Sequence, residues 1–250
     1  MTVGRRISAG ILLAALLGGA GCAVHVPPPA APASAAGGDP WRGVLQRFVD
    51  AQGRIDFAAI VRERAGLDAA VARISAEAPP PPGAARLAWY LNAYEALAMY
   101  GVIRAGIPQE LASQRVEFFD RNRYQVAGEW ISLAALENER IRPLGDARVH
   151  LALNRMVRGS GPLAREPFEA SSLDAQLDGA ARRFLSNVRY VRLERGRRVV
   201  GFSEVLHWYQ ADFLAAAPSL IAYANRFRED PIPSDWTVEF FGYDWTVNAR

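Results

Sequence analysis

The chain has 250 residues, 50% of them hydrophobic, and carries 29 basic against 26 acidic side chains. Every basic residue is Arg, and with Arg5 and Arg6 assigned to a leader the body holds 27 against 26, a net of +1 that gives no electrostatic footing for nucleic acid. The single cysteine, Cys22, excludes an internal disulfide framework and leaves stability to burial.

Arg5 and Arg6 precede an apolar run at 7–17, and small residues at 18–21 precede Cys22, the arrangement of an export signal over residues 1–21. At helical rise the segment from Ile7 to Ala20 reaches about 21 Å, short of a hydrocarbon core of about 30 Å, so it reads as a processed leader. Small residues followed by cysteine resemble the lipobox of bacterial lipoproteins, which implies acylation of Cys22 and a lipid anchor in the membrane. Gly19 departs from the Leu usual three residues before that cysteine, and ordinary cleavage near this point is the other reading. Ala23, rather than Asp, after Cys22 makes the expected destination the outer membrane, facing the periplasm. Residues 22–40 are rich in Pro, Ala, Gly and Ser and read as a tether of up to about 55 Å, with His25 an incidental polar residue. Residues 41–250 suffice for one globular domain.

Within that domain the spacing of Trp41, Val44, Leu45, Phe48 and Val49 predicts a first helix, stopped at Gln52-Gly53. An Ala-rich helix over 58–78, broken at Gly66, ends at four prolines, and a long helix over 84–105 is apolar around most of its circumference and therefore central. Short runs at 116–119, 123–126 and 129–131 predict a small antiparallel sheet. Ser132 caps a helix to about Ile141, stopped by Pro143 and Gly145. A short apolar run follows at 149–153, then a helix over 172–185, a hairpin of 190–193 with 198–202, helices over 203–216 and 219–227, and a terminal strand over 237–243. The fold class expected is α+β, one helix-rich domain with a small antiparallel sheet.

Five stretches, in order, resemble the family known as domain of unknown function 547. They are LAWYLNAYEAL at 87–97, YQVAGEWISL at 124–133, LENERIRPLGDARVHLALN at 136–154, FSEVLHWYQADF at 202–213 and YDWTVN at 243–248. Together they carry the resemblance across 41–248. The departures matter as much as the matches. Arg155 and Ser160 stand where family members commonly have two cysteines, Asn138 stands at the family's histidine position behind Glu137, and Glu95 replaces an amide.

The resemblance thus implies no thiol reaction for this chain. Asn138 takes up no proton near neutral pH, and the Ser160 hydroxyl is a weak nucleophile without a base in reach. His150 is the nearest imidazole in sequence, set in an apolar run that favours a satisfied core histidine. Gly159-Ser160-Gly161 is not the elbow of a hydrolase and reads as a tight turn. Glu95, three residues from Asn92, shares its helix face and needs a partner, for which Arg148 or Arg142 would serve. The His residues are scattered and no phosphate-cradling or dinucleotide motif occurs, so neither metal nor cofactor is expected. Aromatics including Trp89, Tyr90, Tyr94, Trp208, Tyr209, Tyr243 and Trp245 either line a sugar- or peptide-binding groove or, by default, form core.

Two functions follow as expectations. The first is an envelope-anchored lipoprotein module that binds an envelope ligand or protein, or acts as a scaffold, without thiol chemistry, using Asn92, Glu137, Asn138, Arg148, Asn154 and Arg155. The alternative is an envelope hydrolase or transferase acting on peptide or cell-wall substrates through Ser160 or Glu95, with Asn92, Asn154 and His150 in support.

Overall fold

The computed structural model describes residues 22–30 and 38–250; the expected leader at 1–21 lies outside them. Among the described residues no helix is long and apolar enough to cross a membrane.

Helix α1 (Pro40–Phe48) starts where the Asp39 carboxylate accepts the Trp41 N–H at 3.1 Å, and it buries Trp41, Val44, Leu45 and Phe48. The Ala-rich stretch forms two helices, α2 (Phe57–Arg62), capped by Asp56 at 2.8 Å from Ala59 N, and α3 (Ala65–Ala76). The break falls at Glu63, which leaves helical geometry at φ −131°, and not at Gly66. Gly66 serves packing instead: a Cβ there would stand 3.2 Å from Val44 Cγ2 on α1. Helix α4 (Ala84–Arg104) buries 15 of its 21 residues, which makes it the central element expected from its all-round apolar surface.

Residues 116–119 were expected as a strand; they enter a π-helical turn, Glu117–Arg121, that buries Phe118 against Gly101 and turns Phe119 toward Trp245. A run this short carries too little periodicity to separate helix from strand. Strand β2 (Asn122–Val126) then pairs antiparallel with β3 (Glu129–Ser132) through an Ala127-Gly128 turn whose two N–H groups donate to Ile74 and Ser75 carbonyls at the end of α3. The free edge of β2 is taken by β1 (Val24–Val26), running parallel. Part of the stretch read as tether is therefore structured: ladder hydrogen bonds and burial of Val26 supply what its composition does not advertise, and His25 packs 4.5 Å from the Trp130 ring.

Ser132 caps α5 (Leu133–Ala135) as expected, and the helix widens into a π turn, Leu136–Ile141, that ends at Gly145 after a short 3-10 turn. Two helices follow, α6 (Val149–Ala152) and α7 (Leu173–Leu185). Strands β4 (Val191–Glu194) and β5 (Val199–Ser203) form the expected hairpin, and β6 (Thr237–Phe241) joins β5 in parallel. Between β5 and β6 lie α8 (Glu204–Trp208), α9 (Gln210–Ala216) and α10 (Leu220–Asn225), the first two separated at Tyr209. The fold is a helix-rich α+β domain with two three-stranded sheets, each mixed because one parallel strand extends an antiparallel hairpin. The single antiparallel sheet expected from local signals describes only the hairpins, since parallel partners distant in sequence leave no local turn signature.

The C-terminal stretch sews these parts together. Trp245 O accepts from Leu111 N, Thr246 O from Arg158 N, and Asn248 bonds Met156, Ile55 and Gly53. The loop beneath it is shaped by close approach: a Cβ on Gly159 would stand 2.7 Å from the Tyr243 ring, and one on Gly161 2.6 Å from Leu151 O. Gly159→Ala is accordingly expected to lower stability by about 1–3 kcal/mol, as overpacking does, measured as a shift in urea midpoint, whereas Gly196→Ala, at a position with open space for a Cβ, leaves it near wild type.

Candidate functional site

The π turn after α5 points Glu137 and Asn138 toward a cleft of about 440 Å³. Helix α4 contributes Tyr94, the turn before β2 contributes Phe119 and Asp120, α8 contributes Glu204 and Trp208, and the C-terminal stretch contributes Trp245. Arg155 forms the floor. The residue is 4% exposed, and its guanidinium pairs with Glu137 through Nη2 and donates to the Tyr209 hydroxyl at 3.2 Å. Its Nη1 is buried and has no acceptor, as is the hydroxyl of Tyr94, and both residues line the cleft. Burial resists ionisation of Glu137 and is the largest single influence, but the Arg155 charge together with His150 and Tyr209 outweighs it and holds the carboxyl down at about 2. Burial pushes the phenols of Tyr94, Tyr209 and Tyr243 up, so they remain O–H donors at neutral pH.

Behind this floor lies an ordered polar network. His150 stacks on Tyr209 at 3.7 Å and 6°, and its Nε2 meets Asp212 Oδ2 at 2.7 Å. Its Nδ1 is 3.6 Å from Glu137 Oε1, beyond hydrogen-bond reach, and is otherwise without a partner. Arg142 grips Asp212 with two bonds, Nε to Oδ2 at 2.9 Å and Nη2 to Oδ1 at 3.1 Å, and donates from Nη1 to Asn138 Oδ1 at 2.7 Å. That pairing holds the Asp212 carboxyl below its usual range. Arg142, Asp212, His150, Tyr209 and Arg155 thus run as one chain of contacts from the surface to the cleft floor.

The expected site residues divide. Glu137, Asn138 and Arg155 meet at the cleft. Ser160 lies behind it, 3% exposed; its Oγ accepts the Arg155 backbone N–H at 2.9 Å and sits 2.7 Å from the Tyr243 hydroxyl, with no imidazole bonded to it. Asn154 is fully buried, shaping the loop by accepting Met156 N–H at 2.8 Å and donating to Gly161 O at 2.7 Å, and Met156 takes φ 61°. Glu95 is sealed in the core, where its Oε1 accepts the Asn154 N–H at 3.1 Å, and enclosure pushes its carboxyl up to about 8 against that bond. Neither arginine expected to pair with Glu95 does so. Arg148 is taken by Asp146, Asp174 and Asp178, and Arg142 by Asp212, because a carboxyl that stays protonated needs no cation. Asn92 does not share a cleft with Glu95; it clamps Phe168 through both backbone groups, at 2.8 and 2.9 Å, beside a separate cleft containing Trp89.

Sequence reasoning passed over Arg115, Asp120, Glu204 and Asp212. Glu204 and Asp212 sit inside the stretch 202–213 already singled out, flanking Trp208 and Tyr209, and a charged residue beside two aromatics on a short helix was the available signal. The aromatics themselves split: Tyr94, Trp208, Tyr209 and Trp245 line the cleft, and Tyr243 packs beneath Trp208 and Trp245 at 4.9 and 4.8 Å.

These features define a helix-rich α+β domain with an aromatic-walled cleft floored by a buried ion pair. Residues 82–185 match the model of a family described as a protein of unknown function, DUF547, and the chain resembles that family. The matched stretch holds Glu137, Asn138 and Arg155, while Glu204, Trp208, Tyr209 and Trp245 come from the chain beyond it. No curated protein and no solved structure gives a significant match.

Proposed function

We propose that this chain is an exported, Cys22-anchored envelope module that binds a peptide or cell-wall fragment in the aromatic cleft without thiol chemistry. The observation that carries the reading is Arg155. A guanidinium lines the cleft at the position where the family pattern has a cysteine, salt-bridged to Glu137 and with its Nη1 buried and without an acceptor. Around it, Trp208 and Trp245 supply flat apolar area for a ring or side chain, and Asn138, Asp120 and Glu204 supply polar orientation, the composition of a binding site rather than of packed core. Chemistry at Ser160 lacks its base: the hydroxyl is spent on Arg155 N–H and Tyr243, and His150 is committed to Asp212.

Fluorescence titration with muramidase-released cell-wall fragments tests this reading. Saturable binding is expected, weakened at least tenfold in Trp208→Ala and unchanged in Ser160→Ala, with fragment masses unaltered. Fragment cleavage that vanishes in Ser160→Ala would contradict it. The anchor is tested separately by fatty-acid labelling, expected in the native chain and lost in Cys22→Ala. Cys22 is exposed and only two residues ahead of β1, so an acyl chain there would seat the domain against the bilayer rather than on a long leash.

A further inference from the structure

A further cleft, of about 480 Å³, is lined by Arg158, Ser160, Gly161 and Pro162 from the loop that also carries Arg155. Arg54, Arg158, Arg189 and Arg250 line it, against one carboxylate, Asp50. Asp50 is already engaged, its Oδ1 accepting the backbone N–H groups of Gln52 and Arg54 at 2.9 and 2.8 Å. Two of the arginines have partners outside the cleft, Arg250 with Asp56 and Arg189 with Asp244 at 3.7 Å. The other two are not neutralised. Among the described residues Arg54 and Arg158 form no ion pair, and the Nε of each is buried without an acceptor. Arg54 reaches only the Ala249 carbonyl, and no protein acceptor is bonded to the Arg158 side chain. Half-buried guanidiniums with unspent donors, converging on one concavity, repel one another. Burial and then the charges of Arg158 and Arg189 hold Arg54 below its usual proton affinity. Folding does not relieve that repulsion; an anion would.

We infer that this cleft is an oxyanion site, built by Arg54 and Arg158 with Arg189 at its mouth, that takes a phosphate group. Guanidinium forks match tetrahedral phosphate oxygens with paired N–H donors, and a cleft lined by one sign of charge concentrates such ions. Asn187 and Gln52, also on its wall, offer amide donors to the remaining oxygens. The site is separate from the aromatic cleft, so it stands whether or not that cleft binds cell-wall material. Phosphate reaches an envelope protein either as a phospholipid headgroup or as a soluble or polymer-borne group, and the chemistry recognised is the same.

The test is calorimetric titration of the purified full-length protein with inorganic phosphate, against chloride at equal ionic strength, alongside flotation with phosphatidylglycerol or phosphatidylcholine vesicles. Saturable phosphate binding is expected, at least tenfold weaker in Arg158→Gln and in Arg54→Gln and unchanged in Arg183→Gln on the exposed face of α7. Arg189→Gln, an exposed change that spares the fold, is expected to weaken binding about threefold, so a folding defect in Arg54→Gln does not remove the test. Phosphatidylglycerol binding lost in Arg158→Gln would assign the phosphate to a lipid headgroup. Phosphate binding with no such vesicle dependence would assign it to a soluble or polymer-borne group. Absence of saturable phosphate binding, or equal affinity in Arg54→Gln, Arg158→Gln and the native chain, overturns the site.

Discussion

Arg155→Met is expected to destabilise the native state by about 3–5 kcal/mol, because it strands the Glu137 carboxylate in a desolvated floor. Glu137 is 4% exposed, and its nearest imidazole nitrogen is 3.6 Å away, too far to replace the lost donor. The double variant Glu137→Leu/Arg155→Met removes both charges and is expected to recover most of that loss, since a well-packed apolar pair costs far less than a lone buried charge. Urea midpoints of the two single variants and the double variant give the coupling directly. The pH dependence has a definite sign. Glu137 titrates at about 2 in the fold against 4.5 unperturbed, so its contribution is complete above about 4.5 and is lost as pH falls from there toward 2. The Arg155→Met defect should therefore shrink in acid. Equal destabilisation of single and double variants would show that Arg155 acts through packing alone.

The second large effect belongs to Glu95 and runs the other way. Its carboxyl is pushed up to about 8 by enclosure, so the native state holds a proton that the unfolded chain releases near 4.5. Native stability should then fall as pH rises from 4.5 to 8, at up to about 1.4 kcal/mol per unit, and level off above that. Glu95→Gln keeps an oxygen acceptor for the Asn154 N–H and has nothing to ionise. It is expected to match the native chain near pH 5 and to exceed it by several kcal/mol at pH 8.5, measured by urea denaturation at each pH. Parallel stability curves for the two proteins would mean that Glu95 is ionised in the fold.

The two residues illustrate how far the chain's text reaches. The central helix, the Ser132-capped helix and both hairpins were legible because apolar spacing, a Ser cap and turn residues act locally. Strand β1 was not legible, because Val24–Val26 gain their stability from an edge supplied by residues about a hundred positions later. The site behaved similarly. The departures from the family pattern at Arg155 and Asn138 did mark one cleft, yet which carboxylate Arg155 would meet was a matter of packing. Glu95 was given an arginine on the rule that buried charges are paired; burial instead keeps it neutral, and the arginines went to aspartates nearer the surface. Trp208 and Trp245 come from segments 37 positions apart that converge only through the strap formed by the C-terminal stretch, and no local signal announces that convergence.

The claim that the aromatic cleft is a binding site is tested most directly by the six tryptophan indole N–H resonances of nitrogen-15 labelled protein, assigned by single Trp→Phe variants, during addition of cell-wall fragments. Saturable shifts confined to Trp208 and Trp245, with the fragments recovered intact, are the predicted result. Shifts at Trp89 or Trp41 while Trp208 and Trp245 stay unmoved, or the appearance of cleaved fragments, would contradict it.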